Sequence, residues 1–134
     1  MDQKRIRTYK TDAIILSQRQ FGETDKLITV FSKEHGKKTI IAKGILKSTS
    51  PLIYHLDNMN LTRLVMSKGK NLDLVTQASV IESFEYIRNN YDLTVQGLYI
   101  LELIDKFTIE HNNDTSLYDS IIATFNRIND NEPL

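Results

Sequence analysis

A chain of 134 residues that is 40% hydrophobic has enough apolar mass for one domain, or for one small domain with an appendage. The lack of cysteine excludes disulfides, thiolate catalysis and cysteine-rich zinc sites. No apolar run reaches bilayer length or follows the charged N-terminus as a signal core, so a cytoplasmic location is expected.

The formal net charge of zero hides a division. Residues 1–80 carry fourteen Lys/Arg against seven Asp/Glu, whereas residues 81–134 carry three against ten. A surplus of seven positive charges in one half and seven negative in the other suggests two segments with different tasks. The positive half attracts phosphates through its long-range field; the plainer reading is a solvated surface whose two halves attract each other.

In chain order, the first half reads as short strands. Ala13-Ile14-Ile15-Leu16 is rich in β-branched residues. Lys26 to Phe31, Thr39 to Ala42, Met59 to Met66 and Leu72 to Gln77 supply four more runs, the last two with period-two alternation. Gly22 lies in the turn between the first and second runs, Gly36 between the second and third, and Gly69 between the fourth and fifth. Ile45 to Asp57 forms a longer loop that reads as too polar at its start to be core. Five such strands with Gly-containing turns predict a five-stranded antiparallel barrel or a sandwich. Within it the central run of Gly22–Lys38 is the second strand, with Gly22-Glu23-Thr24-Asp25 holding its turn by side-chain hydrogen bonds to the backbone.

The second half changes period. A short helical link is expected over Glu82 to Asn90. Val95, Leu98, Leu101, Ile104 and Phe107 mark a helix with Asp92 as N-cap. Leu117, Ile121, Phe125 and Ile128 mark another, capped by Thr115 or Ser116 after the break at Asn112-Asn113-Asp114. The fold class is therefore α+β, with a mainly β half over residues 1–80 and an α-helical segment over 81–134.

Catalysis finds little support. His35 falls in a tight turn and His111 at a helix C-terminus. No HExxH, G-x-S-x-G or Walker-type loop occurs, and the Glu23/Asp25 pair beside Lys26 reads as turn capping. The chain reads as a non-enzyme. Binding to nucleic acid fits better, because a basic barrel supplies the sequence-independent phosphate attraction. Arg19, Lys37, Lys38, Lys43, Lys47, Lys68 and Lys70 are the candidate phosphate contacts, each near a turn or on the polar side of a strand. Phe21 and Tyr54 are candidates for stacking on bases, although the favoured reading for both is a ring plugging an end of the barrel.

The order Ala13-Ile14-Ile15-Leu16, Phe21-Gly22-Glu23-Thr24-Asp25-Lys26, His35-Gly36-Lys37, Ala42-Lys43-Gly44 and Ser50 resembles the N-terminal domain of the bacterial recombination mediator family RecO. The likeness continues through Lys68-Gly69, Leu72 and Thr76-Gln77-Ala78 into Tyr99-Ile100-Leu101-Glu102-Leu103. It implies a five-stranded antiparallel OB-fold barrel over residues 1–80 as the nucleic-acid-binding domain, part of a helical domain over 81–134, and binding of single- and double-stranded DNA. It also implies strand annealing, recombinase loading with a RecR partner, and a nucleoid-associated place in the cytoplasm. Contact with single-strand-binding protein is expected only where the helical domain is complete. Two departures stand out. Family members are longer and often hold a four-cysteine zinc module beyond this region, so this chain is expected to be a truncated piece without a cofactor. Leu46 stands where the family commonly has Arg, which implies weaker DNA contact through that loop. The alternative reading is a protein-interaction module whose barrel mainly docks a RecR-type partner. Neither reading involves a membrane or a small-molecule substrate.

Overall fold

The computed structural model describes residues 7–47 and 50–131. Five strands, β1 (Thr8–Phe21), β2 (Asp25–Ser32), β3 (Gly36–Ala42), β4 (Leu61–Ser67) and β5 (Asp73–Glu82), close into a barrel in the order β1-β2-β3-β5-β4. A four-residue helix, α1 (Leu52–His55), joins β3 to β4. After β5 come α2 (Glu85–Arg88), α3 (Tyr91–Phe107) and α4 (Thr115–Asn129). The five-stranded OB-type barrel followed by helices is thus present, with one correction: the sheet is mixed. β3 and β5 run parallel, with Ile40 opposite Asp73 and Ile41 opposite Leu74. A ring with an odd number of strands cannot alternate direction all the way round, so closure forces one parallel pair.

β1 extends well beyond its apolar centre because it is paired on both sides. Its first half lies against β4, from Thr8↔Ser67 to Ile14↔Leu61, and its second half against β2, from Ala13↔Ser32 to Phe21↔Asp25. The register breaks between Ile15 and Ser17. Such an irregularity bends a strand and raises its twist, which a small closed barrel requires.

Strand alternation sorts the core into two clusters. Ala13, Ile15, Ile28, Val30, Ile40, Ala42, Leu64, Met66 and Val75 fill the barrel. Ile14, Leu16, Phe31 and Leu61 point outward and pack with Phe84, Ile87, Leu101, Tyr118, Ile121 and Phe125 of the helical segment. The loop after β3 is also less polar in effect than its sequence suggests. Ile45 and Leu56, from either end of it, are buried in the barrel cluster and stop one mouth of the barrel.

The helix starts differ from the sequence reading by one or two residues. Asn90, not Asp92, caps α3, accepting from the Leu93 amide at 3.1 Å. Asp114, rather than Thr115 or Ser116, caps α4, accepting from the Leu117 amide at 3.0 Å. In both cases the side-chain oxygen reaches the amide three residues on, as an N-cap must. Asp92 remains in the first turn of α3, where a carboxylate favours the helix dipole. His111 stands past the end of α3 with φ of 66°, in the α3–α4 connection rather than at a helix terminus.

That connection lies along the first residues of β3, ahead of the part that pairs with β5. Glu110 bridges Lys37 in parallel, and the His111 amide donates to the Lys37 carbonyl at 2.9 Å. Gly36 makes the approach possible: its φ is +66°, and a Cβ there would stand 2.4 Å from the Asn112 carbonyl oxygen. Gly22, at φ +75°, has nothing within 4 Å of that position. Gly22→Ala is therefore expected to cost roughly 1 kcal/mol, the strain of a left-handed alanine. Gly36→Ala adds an overpacking term and is expected to lose roughly 2–4 kcal/mol. Urea unfolding of the two variants measures the difference, and equal losses would contradict the close approach.

Candidate nucleic-acid interface

The candidate cations fall into three places. Arg19, Lys43 and Lys47 are exposed at the mouth formed by the β1–β2 turn and the segment after β3. Two hydrogen bonds make that mouth one unit. The Asp25 carboxylate accepts from the Gly44 amide at 2.7 Å, and the Leu46 amide donates to the Thr24 carbonyl at 2.9 Å. The acidic turn residue therefore reaches across to the neighbouring loop instead of closing only its own turn. This explains the pairing of Asp25, after Gly-Glu-Thr, with Gly44 of Ala-Lys-Gly 19 residues later: one supplies the acceptor and the other a glycine amide that the carboxylate can approach. α1 borders the same mouth, since Gln18 Nε2 donates to the Leu56 carbonyl at 3.0 Å and to Asn58 Oδ1 at 2.8 Å. Gln18 Oε1 in turn accepts from Lys26 Nζ at 2.9 Å.

Lys38, Lys68 and Lys70 belong to the opposite end. Tyr9 is the centre of a polar plug there. Its hydroxyl donates to Asp73 Oδ2. Lys38 Nζ pairs with the same oxygen at 3.2 Å, and the Gly69 amide donates to Asp73 Oδ1 at 3.1 Å. The Lys38 and Lys68 ammonium groups lie 5.8 and 6.0 Å from the centre of the Tyr9 ring, within cation–π range. The His35 ring packs 4.9 Å from it, tilted. Burial raises the Tyr9 hydroxyl pKa, and the bond to Asp73 raises it further. Burial opposes ionisation of Asp73 too, but the donors Tyr9, Gly69 and Lys38 outweigh it and hold the carboxyl below its usual range. Lys70 is exposed in the β4–β5 loop.

Lys37 stands apart from both groups. Its side chain is only 13% exposed. The ammonium donates to the Asp105 carbonyl at 2.6 Å, to Asp105 Oδ1 at 3.0 Å and to the Thr108 carbonyl at 3.1 Å. A cation at a helix C-terminus satisfies carbonyls that have no partner within the helix, so this lysine is engaged as the clamp between β3 and α3. Sequence reasoning could not separate it from Lys38 or Lys43, because Asp105 lies 68 residues away.

Phe21 and Tyr54 require a correction. Neither plugs the barrel, since Ile45 and Leu56 do so at that end. Phe21 is 47% exposed and Tyr54 79% exposed.

Among the described residues no group of three or more His, Asp or Glu is placed to hold a metal ion, and no helix is long and apolar enough to cross a membrane. A shallow groove of about 210 Å³ runs over the outside of β4 and β5, lined by Lys10, Arg63, Val65, Gln77, Ala78 and Ser79. Arg63 is held there by Asp12 at 2.9 Å.

Residues 6–84 match the family described as recombination protein O, N terminal. Among curated proteins, the chain is 33% identical over 113 residues to the DNA repair protein RecO of Pelotomaculum thermopropionicum, covering 84% of this chain and 44% of that protein. It is 36% identical over 106 residues to that of Heliobacterium modesticaldum, covering 79% and 39%. It is 33% identical over 121 residues to that of Bacillus velezensis, covering 90% and 48%. The chain thus spans less than half the length of each of these relatives.

Two expectations come from this geometry. Asp25→Ala should lower stability by about 1–2 kcal/mol, the value of a charge-assisted hydrogen bond partly open to water, and should speed amide exchange at Gly44; Asp25→Asn, which keeps an acceptor, should restore most of both. The second concerns His35, whose pKa is held below the ordinary imidazole value by burial and then by Lys38. The unfolded chain therefore takes up this proton more readily than the fold does. Stability should fall as pH drops through the window below about 6.5. His35→Gln should show a shallower decline of Tm between pH 7.5 and 5.5; parallel curves would remove His35 as the cause.

Proposed function

This chain belongs to the RecO family, and on that premise we propose that it is a non-catalytic DNA-binding protein of repair and recombination. Residues 1–80 act as the nucleic-acid-binding unit and residues 81–134 as part of a helical domain. The observation that carries the reading is the stapled mouth of the barrel, where Arg19, Lys43 and Lys47 project from elements fixed to each other by Asp25 and Thr24. Cations on a preorganised rim neutralise successive phosphates and release counterions without ordering a loop at the moment of binding. Lys68 and Lys70 form a second group at the other end, so that one barrel has cations for two strands held near each other. Lys37 and Lys38 have carboxylate partners in the fold, and in this proposal they contribute field rather than direct contact.

On the same reading the ligands are single- and double-stranded DNA, the outcome is annealing and recombinase loading with a RecR partner, and the setting is the nucleoid. Contact with single-strand-binding protein belongs to a complete helical domain. Relatives that carry the name DNA repair protein RecO support the assignment to repair. A second reading, a protein-docking module, is favoured by one observation. Tyr91, Val95 and Leu98 on α3 are exposed large hydrophobics, spaced so that they form one stripe. Salt dependence separates the two readings, since protein docking by an apolar stripe lacks the counterion term.

Fluorescence anisotropy of a labelled single-stranded oligonucleotide, titrated at several salt concentrations, tests the proposal. Binding is expected with a log–log salt slope of roughly −0.7 per phosphate contacted. The triple variant Arg19→Glu, Lys43→Glu, Lys47→Glu should bind more weakly and with a slope reduced by about 2. Unchanged affinity in the folded variant would remove this rim as the DNA site.

A further inference from the structure

Six aromatic side chains stand well exposed: Phe21, Tyr54, Tyr86, Tyr91, Tyr99 and Phe107. The last four belong to residues 81–134, where acidic side chains outnumber basic ones ten to three. Phosphates are repelled there, so an exposed ring in that half is poorly placed for nucleic acid. Phe21 and Tyr54 differ. Phe21 ends β1, one residue before the turn whose Thr24 and Asp25 are bonded to Leu46 and Gly44. Tyr54 lies on α1, whose C-terminal carbonyl at Leu56 is bonded to Gln18 of the same strand. The approach to α1 is tied back to the basic segment by the Ser50 amide, which donates to the Lys47 carbonyl at 3.1 Å. Both residues thus stand on elements tied by hydrogen bonds to the segments that carry Arg19, Lys43 and Lys47.

Their exposure has no explanation in the fold. The barrel mouth is already stopped by Ile45 and Leu56, and neither ring belongs to either core cluster. The Tyr54 side chain has no hydrogen-bond partner among those described, though its carbonyl accepts from Asn60 Nδ2 at 3.1 Å. Two large apolar faces are left open to water on hydrogen-bonded backbone, on elements bonded to those that carry three exposed cations. Such a pairing of flat rings with flanking cations suits a ligand that offers flat rings joined by phosphates. A duplex hides its base faces within its own stack, so only an unpaired strand can use the two rings.

We infer that Phe21 and Tyr54 are base-stacking platforms that make this mouth selective for unpaired nucleic acid, with Lys43, Lys47 and Arg19 holding the flanking phosphates. The inference rests on the DNA-binding reading and adds a specificity to it. Lysines alone bind any polyanion according to charge density, whereas stacking rewards only bases that are free of a complement.

The test compares three ligands of equal length: a single-stranded oligonucleotide, its duplex, and an abasic strand that keeps the phosphates. Phe21→Ala and Tyr54→Ala are expected to fold normally, since both side chains are exposed. Each should weaken binding of the base-bearing strand roughly tenfold while leaving abasic and duplex affinities within about twofold of wild type. A second readout uses the lack of tryptophan in the chain. Phe21→Trp and Tyr54→Trp each create a single reporter whose fluorescence should be quenched by the base-bearing strand and not by the abasic one. If wild type binds all three ligands but the alanine variants match it, or the reporters are quenched equally by the abasic strand, the stacking role is overturned and the charged rim stands. If wild type binds none of the three, the DNA reading falls and this inference with it.

Discussion

Residues Ala13 to Leu16 are buried on both faces, and the rest of the molecule is arranged around that constraint. Ala13 and Ile15 enter the barrel interior, while Ile14 and Leu16 leave it and meet the helices. A strand in an isolated barrel would show water one apolar face in two. Here the outward face has to be covered, and Phe84, Ile87, Leu101 and Phe125 cover it. Each fully buried large apolar side chain contributes about 1.5–3 kcal/mol, so the helical segment and the barrel stabilise each other rather than standing side by side.

Covering one wall decides which surfaces remain for a ligand. The edge of β3 is taken by the α3–α4 connection, which passes so close to Gly36 that no side chain fits there, and the Lys37 ammonium is drawn into the end of α3. What stays open are the ends of the barrel and the outer face of β4 and β5, where Lys10 and Arg63 line a groove. One end is closed inside by Ile45 and Leu56 and carries an open basic rim outside. The other is closed by a polar plug in which Asp73, Tyr9 and Lys38 satisfy one another. The two ends differ in chemistry. The first carries the exposed Arg19, Lys43 and Lys47; the second holds an imidazole and a carboxylate whose pKa values are both displaced downward.

The charge division seen along the chain acquires a spatial meaning from this arrangement. The acidic half lies against one wall of a basic barrel and leaves the β1–β2 and β4–β5 turns exposed. In the proposed reading an anionic strand is repelled by the acidic helices and attracted to the mouth, where the Asp25 carboxylate is engaged by the Gly44 amide. Asp25 is therefore compatible with a basic site beside it, because its carboxylate faces the Gly44 amide.

Much of the fold was legible in the residues alone, because it depends on local periodicity. Alternation in 59–66 and 72–77, the apolar run at 13–16 and the change to helical spacing after residue 90 all follow from which side chains can share a face. Glycines at 22 and 36 mark the reversals because only they adopt positive φ without strain. The acidic and basic halves and the seven candidate cations are read directly as composition. What the residues alone could not decide is every outcome set by partners far away in sequence. Ring closure made β3 and β5 parallel. A carboxylate 68 positions away took Lys37, and another 35 positions away took Lys38. Ile45 and Leu56 filled the mouth that Phe21 and Tyr54 had been expected to fill, leaving those rings in water. Local chemistry fixes what a residue is able to do; which of its possible partners it meets is settled only when the chain closes on itself.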